Sequence, residues 1–353
     1  MIRTLRTLRH AAVVLATVAS LTALAACGGG ASDAVSAGGA AATGVPAADG
    51  SGGTVNLYAF SVPKAGFDVL IPAFNATAAG KGVAFQASYG ASGDQSRKVA
   101  AGAAADFVNF SVEPDMTRLV AAGLVDKSWN AGEHQGIPFG SVVAIVVRKG
   151  NPKGIKTWDD LLKPGVEVVT PNPFSSGSAK WNLLAPYSEK SDGGKNPQAG
   201  LDYLTKLIGQ HVKVQPKSAR EASDTFLQGQ GDVLLSYENE ALFLERGGDP
   251  IQHFIPSTTF KIENPAAVVS KGKNVKAAQA FDDYLYTPAA QTLLAKTGFR
   301  VVDTTVAASF ASSFPTPAKE YTIADLGGWK TVDGTLFKKD VGTIAKIYDA
   351  ATK

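Results

Sequence analysis

The stretch TPNPFSSGSAKWNLL, residues 170–184, decides how the chain is organised. The β-rich run VEVVT ends in it, and an apolar helical pattern leaves it. The turn between them carries only small residues and hydroxyls around Ser176, Gly177 and Ser178. The first N–H groups of a helix have no partner within the helix and carry partial positive charge, so an open turn of this kind favours an anion. The stretch therefore predicts a strand, a turn that exposes main-chain donors, and a helix.

Short β-rich runs alternate with longer helical runs on both sides of this stretch. TVNLYAF precedes KAGFDVLIPAFNATAA, VAFQASY precedes DQSRKVAAGAA, and the apolar run VVAIVVRKG restarts the pattern after GIPFGS. Such alternation is typical of βαβ units in a parallel sheet. We therefore expect an α/β protein with two mostly parallel sheets flanked by helices. The run NVKAAQAFDDYLYTPAAQTLLAKTG predicts a long helical segment that ends at Gly298.

Three other predicted strand-to-helix junctions resemble the opening stretch. GASG contains Ser92, KSAR contains Ala219, and FSV places Ser61 shortly before Pro63. In open α/β sheets, ligands bind outside the carboxyl ends of the strands, where these turns would lie. If the turns face one cleft, they would hold a small anion by main-chain donors. Serine and glycine before helices are also ordinary caps and turn residues, which is the simpler explanation of each junction alone.

The amino-terminal segment predicts export. Three arginines precede an apolar stretch that is short for a membrane span, and small residues precede Cys27, so we interpret residues 1–26 as a signal peptide. An uncleaved membrane helix is the alternative. The ending Leu24 to Cys27 resembles a bacterial lipobox, which implies cleavage before Cys27 and its lipidation. Residues 27–53 are mostly Gly, Ala and Ser and predict a flexible tether with a reach of roughly 28 Å.

Charge and cysteine content exclude several classes of protein. Without its first 26 residues the chain has 31 basic and 31 acidic residues, and no basic run suggests a nucleic-acid partner. Cys27 is the only cysteine, so no disulfide is expected. The four histidines are scattered without metal-ligand spacing, and we expect neither a metal nor a cofactor.

Several runs together resemble one family. NPKGIKTWDDLLKPGVEVVTPNPFSSGSAKWNLLA, GASGDQSRKV, GDVLLSYENEA and TPAAQTLLAKTGFR are similar to the sulfate-binding proteins of bacterial ABC importers, from about residue 54 to near the carboxyl terminus. The resemblance implies a two-lobed periplasmic-binding-protein fold with the ligand cleft between the lobes. Lobe I would comprise residues 54–140 and 266–353, and lobe II residues 141–265. Hinges would lie near Gly140 and Ser141, and near Asn264 and Pro265.

The resemblance also implies the site. A dehydrated sulfate would be bound by main-chain N–H groups and a few side-chain donors. The implied ligand-binding residues are Ser61, Ser92, Ser176, Gly177, Ser178, Ala219 and Tyr237. Ser176 would contribute its hydroxyl, and the residues of the four turns their amides. Tyr237 stands where the family usually has a tryptophan, and Asp94 stands where many members have a lysine.

These two departures bear on selectivity. Sulfate at neutral pH requires only donors, whereas hydrogen phosphate is better received by a site with one acceptor. A phenol can donate or accept, and an inward carboxylate would accept. We interpret Asp94 as a first-turn residue that complements the helix dipole from outside, and we therefore expect sulfate. Thiosulfate, molybdate and phosphate remain alternatives.

The expected protein is a monomeric, lipid-anchored extracytoplasmic receptor that delivers sulfate to a membrane permease and has no chemistry of its own. A penicillin-binding serine enzyme is the rival, because S-x-x-K begins at Ser61, S-x-N at Ser128 and K-T-G at Lys296. In such enzymes K-T-G lies on a strand. Here Lys296 ends a helical pattern, so the sequence does not favour an enzyme.

Overall fold

The computed structural model describes residues 52–351 of the protein. The signal peptide, Cys27 and nearly all of the tether lie outside the described residues and stay predictions. Strand β1 begins at Gly53, at the end of the predicted tether. Within residues 52–351, no helix is both long and apolar enough to cross a membrane.

Strands and helices alternate along most of the described chain. The strands are β1 (Gly53–Phe60), β2 (Val83–Gly90), β3 (Phe107–Asn109), β4 (Phe139–Arg148), β5 (Val168–Val169), β6 (Val212–Val214), β7 (Val233–Tyr237), β8 (Ile251–Phe254), β9 (Thr258–Asn264), β10 (Ala266–Val268), β11 (Arg300–Val301) and β12 (Lys319–Tyr321). The α-helices are α1 (Lys64–Asn75), α2 (Ser92–Ala100), α3 (Glu113–Ala121), α4 (Gly177–Lys190), α5 (Pro197–Lys206), α6 (Ala219–Leu227), α7 (Glu238–Arg246), α8 (Val275–Leu285), α9 (Pro288–Thr297), α10 (Thr304–Ser309), α11 (Gly328–Val332) and α12 (Thr343–Ala351). Single helical turns of other geometry span Asp159–Leu162, Leu207–His211, Ala311–Ser313, Ala324–Leu326 and Asp333–Phe337.

The first sheet has the strand order β10-β3-β1-β2. Strands β1, β2 and β3 are parallel, and β10 joins β3 in the antiparallel direction. The inward residues Val55, Leu57 and Ala59 of β1 alternate with partly exposed ones and are fully buried. Helices α1, α2 and α3 each follow one of the parallel strands, as the alternating sequence pattern predicts. This sheet forms the core of lobe I.

The second sheet has the main order β12-β9-β4-β7-β5-β6 and is mixed. Strands β5, β6 and β7 are parallel, but the central strand β4 pairs with β7, β8, β9 and β11 in the antiparallel direction. The expectation of a mostly parallel sheet is therefore wrong for this lobe. Buried parallel and buried antiparallel strands both read as continuous apolar runs, so the run VVAIVV could not indicate the direction of its neighbours. The two-lobed α/β fold itself is confirmed.

Two adjacent strands connect the sheets. The start of β4 pairs with the end of β9, with Phe139 opposite Asn264 and Gly140 opposite Glu263. The chain then passes from β9 through Pro265 into β10 of the first sheet. The Phe110 amide and the Asn109 side chain both donate to the Pro265 carbonyl, at 2.8 and 3.0 Å. The two predicted hinges thus lie side by side.

The carboxyl-terminal segment does not pack as the predicted lobe boundary implies. Trp329, Phe337 and Tyr348 belong to the same buried core as Trp158 and Tyr203 of lobe II. Helices α8 and α9 instead pack with α1 in the core of lobe I. We therefore propose that residues 319–351 belong to lobe II, although the sequence analysis assigned them to lobe I. Their apolar faces are compatible with either core, so periodicity alone did not separate the two assignments.

The long helical segment after Asn274 is divided in two. Helix α8 ends at Leu285, and α9 begins at Pro288, where the Thr287 hydroxyl caps the Ala290 amide at 3.3 Å. Proline suits the first turn of a helix and interrupts a preceding one, which explains the break. Gly298 ends α9 with φ 104°, as the sequence predicts.

A carboxyl group on α8 makes stability depend on pH. Burial, and then the neighbouring Asp283, raise the pKa of Asp282 from 3.8 to about 7. A raised carboxyl pKa stabilises the fold at low pH, and that stability is lost as pH rises from about 4 to 7. We expect Asp282→Asn to raise the free energy of unfolding by about 1–3 kcal/mol at pH 8 and by much less at pH 4. Urea unfolding at both pH values tests this, with the exposed Asp202→Asn as a control that should give no such difference.

Candidate functional site

Strand-to-helix turns from both lobes meet at one place. Ser61 follows β1, Ser92 follows β2, Ser111 follows β3, Ser176 precedes α4, and Ala219 begins α6. The strands that lead into the first three turns are parallel, so their carboxyl ends lie on the same edge of the sheet. We call Ser61, Ser92, Gly93, Ser111, Ser175, Ser176, Gly177, Ser178, Ala219 and Tyr237 the cradle. All seven of the predicted ligand-binding residues are among them.

Hydrogen bonds between the lobes hold these turns together. The Gly93 amide donates to the Ser175 carbonyl at 3.0 Å. The Arg220 amide, next to Ala219, approaches the Ser61 hydroxyl at 3.4 Å. These bonds join segments that are far apart in sequence: the GASG turn to the SSGS turn, and the KSAR turn to the FSV turn.

The cradle offers buried main-chain donors. Ser92, Ser176 and Ser178 are each only 2% exposed. Ala91 and Ser176 are the cap residues of α2 and α4, and neither side chain accepts from the helix that follows. The first amides of α4 therefore lack a side-chain acceptor. At α6, by contrast, the Ser218 hydroxyl accepts from Glu221 two residues beyond Ala219. Such uncapped helix starts favour negative charge.

Ser111 lies at the centre of the cradle, and sequence reasoning missed it. Its amide donates to the Ser92 hydroxyl at 3.0 Å, and its own hydroxyl lies 2.7 Å from the Tyr237 hydroxyl. Its carbonyl accepts from Trp181 Nε1 at 2.8 Å and from Asn264 Nδ2 at 3.2 Å. Ser111 is thus bonded to lobe I, to lobe II and to the hinge. The sequence feature that could have identified Ser111 is its hydroxyl at the strand-to-helix junction after DFVNF, which resembles the four junctions named in the sequence analysis.

The Ser92 hydroxyl has a structural role. It donates to the buried Asp115 carboxylate at 2.6 Å while it accepts from the Ser111 amide. Arg118 in turn donates to Asp115 at 2.8 Å. Both hydrogen-bonding directions of this hydroxyl are therefore used within lobe I. The hydroxyl therefore has no proton to give to a ligand, and the predicted ligand contact of Ser92 is its main-chain amide.

Tyr237 is fully buried and uncharged. Burial raises the pKa of its phenol, and the hydrogen-bonding partners Ser111, Ser178 and Asn264 offset only part of that effect. The phenol therefore keeps its proton at physiological pH. Its contact with the Ser111 hydroxyl joins lobe II to lobe I.

Positive charges near the cradle are accompanied by acids. Arg97 pairs with Asp94 at 2.5 Å, and Arg220 pairs with the buried Glu240 at 3.0 Å. Asp94 is partly exposed and bonded to its own helix, which agrees with the interpretation that it faces outward. Residues 52–351 contain no group of three or more His, Cys, Asp or Glu side chains that could hold a metal ion. None of the cradle residues itself carries a charged side chain.

The serine-enzyme motif lacks its structural context. Lys296 and Thr297 are the last residues of α9, and Gly298 is its left-handed cap, so K-T-G does not lie on a strand. Ser128 is in a surface loop, where its hydroxyl donates to Asp126 at 2.6 Å. A helix end cannot present the K-T-G strand edge that this chemistry uses.

Comparison with known proteins identifies the family. Residues 55–300 match the model of the bacterial extracellular solute-binding proteins. The chain belongs to this family. A sulfate-binding protein of Synechococcus elongatus is 38% identical over 97% of this chain and 96% of its own length. The solved structure of the sulfate-binding protein SubI from Mycobacterium tuberculosis is 61% identical, covers 81% of this chain and 99% of its own, and has a TM-score of 0.80. A thiosulfate-binding protein of Pseudomonas aeruginosa is 35% identical over 76% of this chain and 83% of its own.

A cavity of about 580 Å³ opens at the cradle of this solute-binding protein. Gly93, Ser176 and Gly177 of the cradle line this cavity together with Phe174, Arg97 and Lys180. Lys180 pairs with Asp333 in the carboxyl-terminal segment. That segment therefore forms one side of the cavity next to the cradle.

Proposed function

We propose that the protein is the extracytoplasmic sulfate receptor of an ABC importer and has no catalytic activity. The observation that carries the proposal is the meeting of uncapped helix starts from both lobes in a buried, uncharged cradle. The sulfate-binding proteins similar over most of the chain support the choice of ligand. The similarity to a thiosulfate-binding protein favours thiosulfate as the second candidate.

The proposed ligand contacts are the amides of Ser61, Ser92, Gly177, Ser178 and Ala219, with hydroxyl donors from Ser176 and Tyr237. About seven hydrogen bonds to an ionised ligand, at roughly 1.5–3 kcal/mol each, amount to on the order of 10–20 kcal/mol before the costs of association. Micromolar affinity requires only about 8 kcal/mol. Main-chain dipoles are therefore sufficient without a charged side chain.

The proposed transport cycle needs opening and closing of the cleft. Bonds such as the one between Gly93 and Ser175 link the lobes in the described form, and hinge motion at the crossing strands would break them. We further propose that lipidated Cys27 anchors a monomeric receptor to the outer face of the membrane. From there the closed form would dock on the permease subunits of the importer.

Isothermal calorimetry on the exported fragment tests the ligand. Titration with sulfate, thiosulfate, molybdate and phosphate should give the tightest binding for sulfate, in the micromolar range or below. If thiosulfate bound and sulfate did not, the proposed ligand would change to thiosulfate, and the proposed receptor function would stand. Absence of binding to every oxyanion would overturn the function.

Ser176→Ala tests a single proposed donor. The hydroxyl is buried and caps no amide of α4, so its loss leaves a buried ligand oxygen without one partner. We expect sulfate affinity to fall by about 1–3 kcal/mol, or roughly 5- to 150-fold. Ser309→Ala is the control, because this exposed hydroxyl donates only to the Thr305 carbonyl on α10. Equal sulfate affinities for the two variants would show that the Ser176 hydroxyl does not bind the ligand.

A further inference from the structure

Trp181 makes a hydrogen bond from one lobe to the other. It lies on α4 of lobe II, and its Nε1 donates at 2.8 Å to the carbonyl of Ser111, in the turn after β3 of lobe I. Both residues are fully buried. An indole has one polar hydrogen and can only donate, so this bond uses its whole hydrogen-bonding capacity. The bond links the helix that begins at the cradle to the opposite lobe.

One face of α4 lies against the Ser111 turn at two points. A Cβ added at Gly177 would lie 2.8 Å from the Ser111 Cβ. Trp181 follows Gly177 by four residues, which places both on the same side of the helix. The first point of contact is at two of the proposed ligand amides, those of Gly177 and Ser178, and the second is the indole hydrogen bond. The two contacts together set the position of these amides relative to the turns of lobe I.

Aromatic neighbours hold the Trp181 indole in its orientation. The ring packs edge-on against Trp329 of the carboxyl-terminal segment, with 4.7 Å between ring centroids, and at a tilt against Phe260 on β9, at 5.6 Å. Both neighbours are buried. Under the proposed lobe assignment they belong to lobe II, as Trp181 does. They would therefore keep the N–H aimed in the same direction when the lobes separate.

The Ser111 carbonyl has a second donor besides the indole. Nδ2 of Asn264, at the end of hinge strand β9, donates to it at 3.2 Å. Loss of the indole N–H therefore leaves this buried carbonyl with a partner. The effect of such a loss is limited to the one bond between the lobes, and it does not include the larger cost of a buried acceptor without any donor.

We propose that Trp181 is a positioning residue of the ligand site, whose indole N–H strengthens sulfate binding by holding the Ser111 turn of lobe I against the start of α4. This inference rests on the proposed function, because it requires that the cradle binds sulfate with the lobes together. In the proposed open form the lobes are apart and the bond is absent. A ligand that favours the closed form gains the free energy of every contact that only this form makes.

Trp158 provides a matched control for Trp181. It is also fully buried, and its Nε1 donates at 2.8 Å to the Thr258 carbonyl, which belongs to the same lobe. Phenylalanine at either position removes the same atoms, but only Trp181→Phe breaks a bond between the lobes. We expect Trp181→Phe to weaken sulfate binding about 3- to 10-fold in calorimetric titrations, and Trp158→Phe to change it by less than about 2-fold. Equal sulfate affinities for the two variants would overturn the inference.

Hydrogen exchange of the indole N–H groups gives a readout that a packing role alone would not change. In wild-type protein with isotope-labelled tryptophan, saturating sulfate should slow the exchange of the Trp181 indole hydrogen, because the lobes then stay together. The exchange of the Trp158 indole hydrogen should stay the same. Each signal is assigned by its loss in the corresponding phenylalanine variant. An equal response of the two indoles to sulfate would contradict the inference.

A second substitution removes the donor and keeps the shape of the side chain. Benzothienylalanine, in which sulfur replaces the indole N–H, can be inserted in place of Trp181 by nonsense suppression. It should weaken sulfate binding as much as Trp181→Phe does, and it decides the question if Trp181→Phe does not fold. Sulfate affinity equal to that of wild type would overturn the inference and leave the sulfate receptor intact. Failure of the wild-type protein to bind sulfate would instead overturn the proposed function.

Discussion

Replacing Gly177 with alanine is expected to weaken sulfate binding by about 5- to 150-fold. An added Cβ would lie 2.8 Å from the Ser111 Cβ and 2.9 Å from Val112 Cγ2, which are closer than real Cβ contacts. Gly177 begins α4 of lobe II, whereas Ser111 and Val112 belong to the turn of lobe I. The clash therefore arises where the two lobes meet in the described structure, and overpacking of this kind costs about 1–3 kcal/mol. Calorimetry with sulfate measures the loss.

In the proposed open form, which sulfate does not hold closed, the lobes are apart and the protein should tolerate the same change. Alanine is acceptable in the first turn of a helix, so we expect the free energy of unfolding without sulfate to change by less than about 0.5 kcal/mol. Gly209→Ala is the control, because an added Cβ there meets nothing within 4 Å. If Gly177→Ala bound sulfate like the control, the contact between the lobes would not be part of the ligand-bound state.

Replacing Arg300 with glutamine is expected to lower the free energy of unfolding by about 3–5 kcal/mol. Arg300 on β11 donates to both carboxylate oxygens of Glu238, at 2.6 and 3.1 Å, and Glu238 is fully buried at the start of α7. Removal of one partner leaves a buried charge without compensation. Glu238 directly follows Tyr237, so sulfate affinity should fall as well. Denaturant unfolding at pH 7 measures the main effect.

Two further variants test whether the stability lost in Arg300→Gln comes from the unpaired buried charge of Glu238. Arg246→Gln removes an exposed arginine that donates to the Lys296 carbonyl at 2.6 Å, and it should cost less than about 1 kcal/mol. Glu238→Gln combined with Arg300→Gln should recover part of the lost stability, because no charge is then buried. A double variant less stable than Arg300→Gln alone would show that the ion pair is not the cause.

Much of lobe I and of the cradle could be predicted from the sequence. Each of the junctions at Ser92 and Gly177 is a local feature. In each, a β-rich run, an open turn and an amphipathic helix follow one another within about 15 residues. Local patterns determine the starts of helices, and the topology of parallel strands then brings them together. The fold class could be predicted as well, because local patterns also reveal the order of strands and helices along the chain.

The parts that sequence reasoning missed depend on long-range contacts. Ser111 is bonded to Trp181, Tyr237 and Asn264, which lie 70, 126 and 153 residues away along the chain. No local pattern encodes such a set of partners. The antiparallel pairing of β4 and the packing of residues 319–351 against lobe II are likewise decided by which surfaces meet, and apolar periodicity is the same for either outcome.

A crystal structure of the exported protein with selenate tests the central claim most directly, because selenium is located by its anomalous scattering. We expect one selenium peak inside the cradle, within hydrogen-bonding distance of the Ser92, Gly177 and Ala219 amides through its oxygens. No lysine or arginine nitrogen should lie within about 4 Å of those oxygens, so that main-chain and hydroxyl dipoles balance the charge without a cation. A peak in the neighbouring cavity beside Arg97 or Lys180, with the amides of the cradle unbound, would contradict the account.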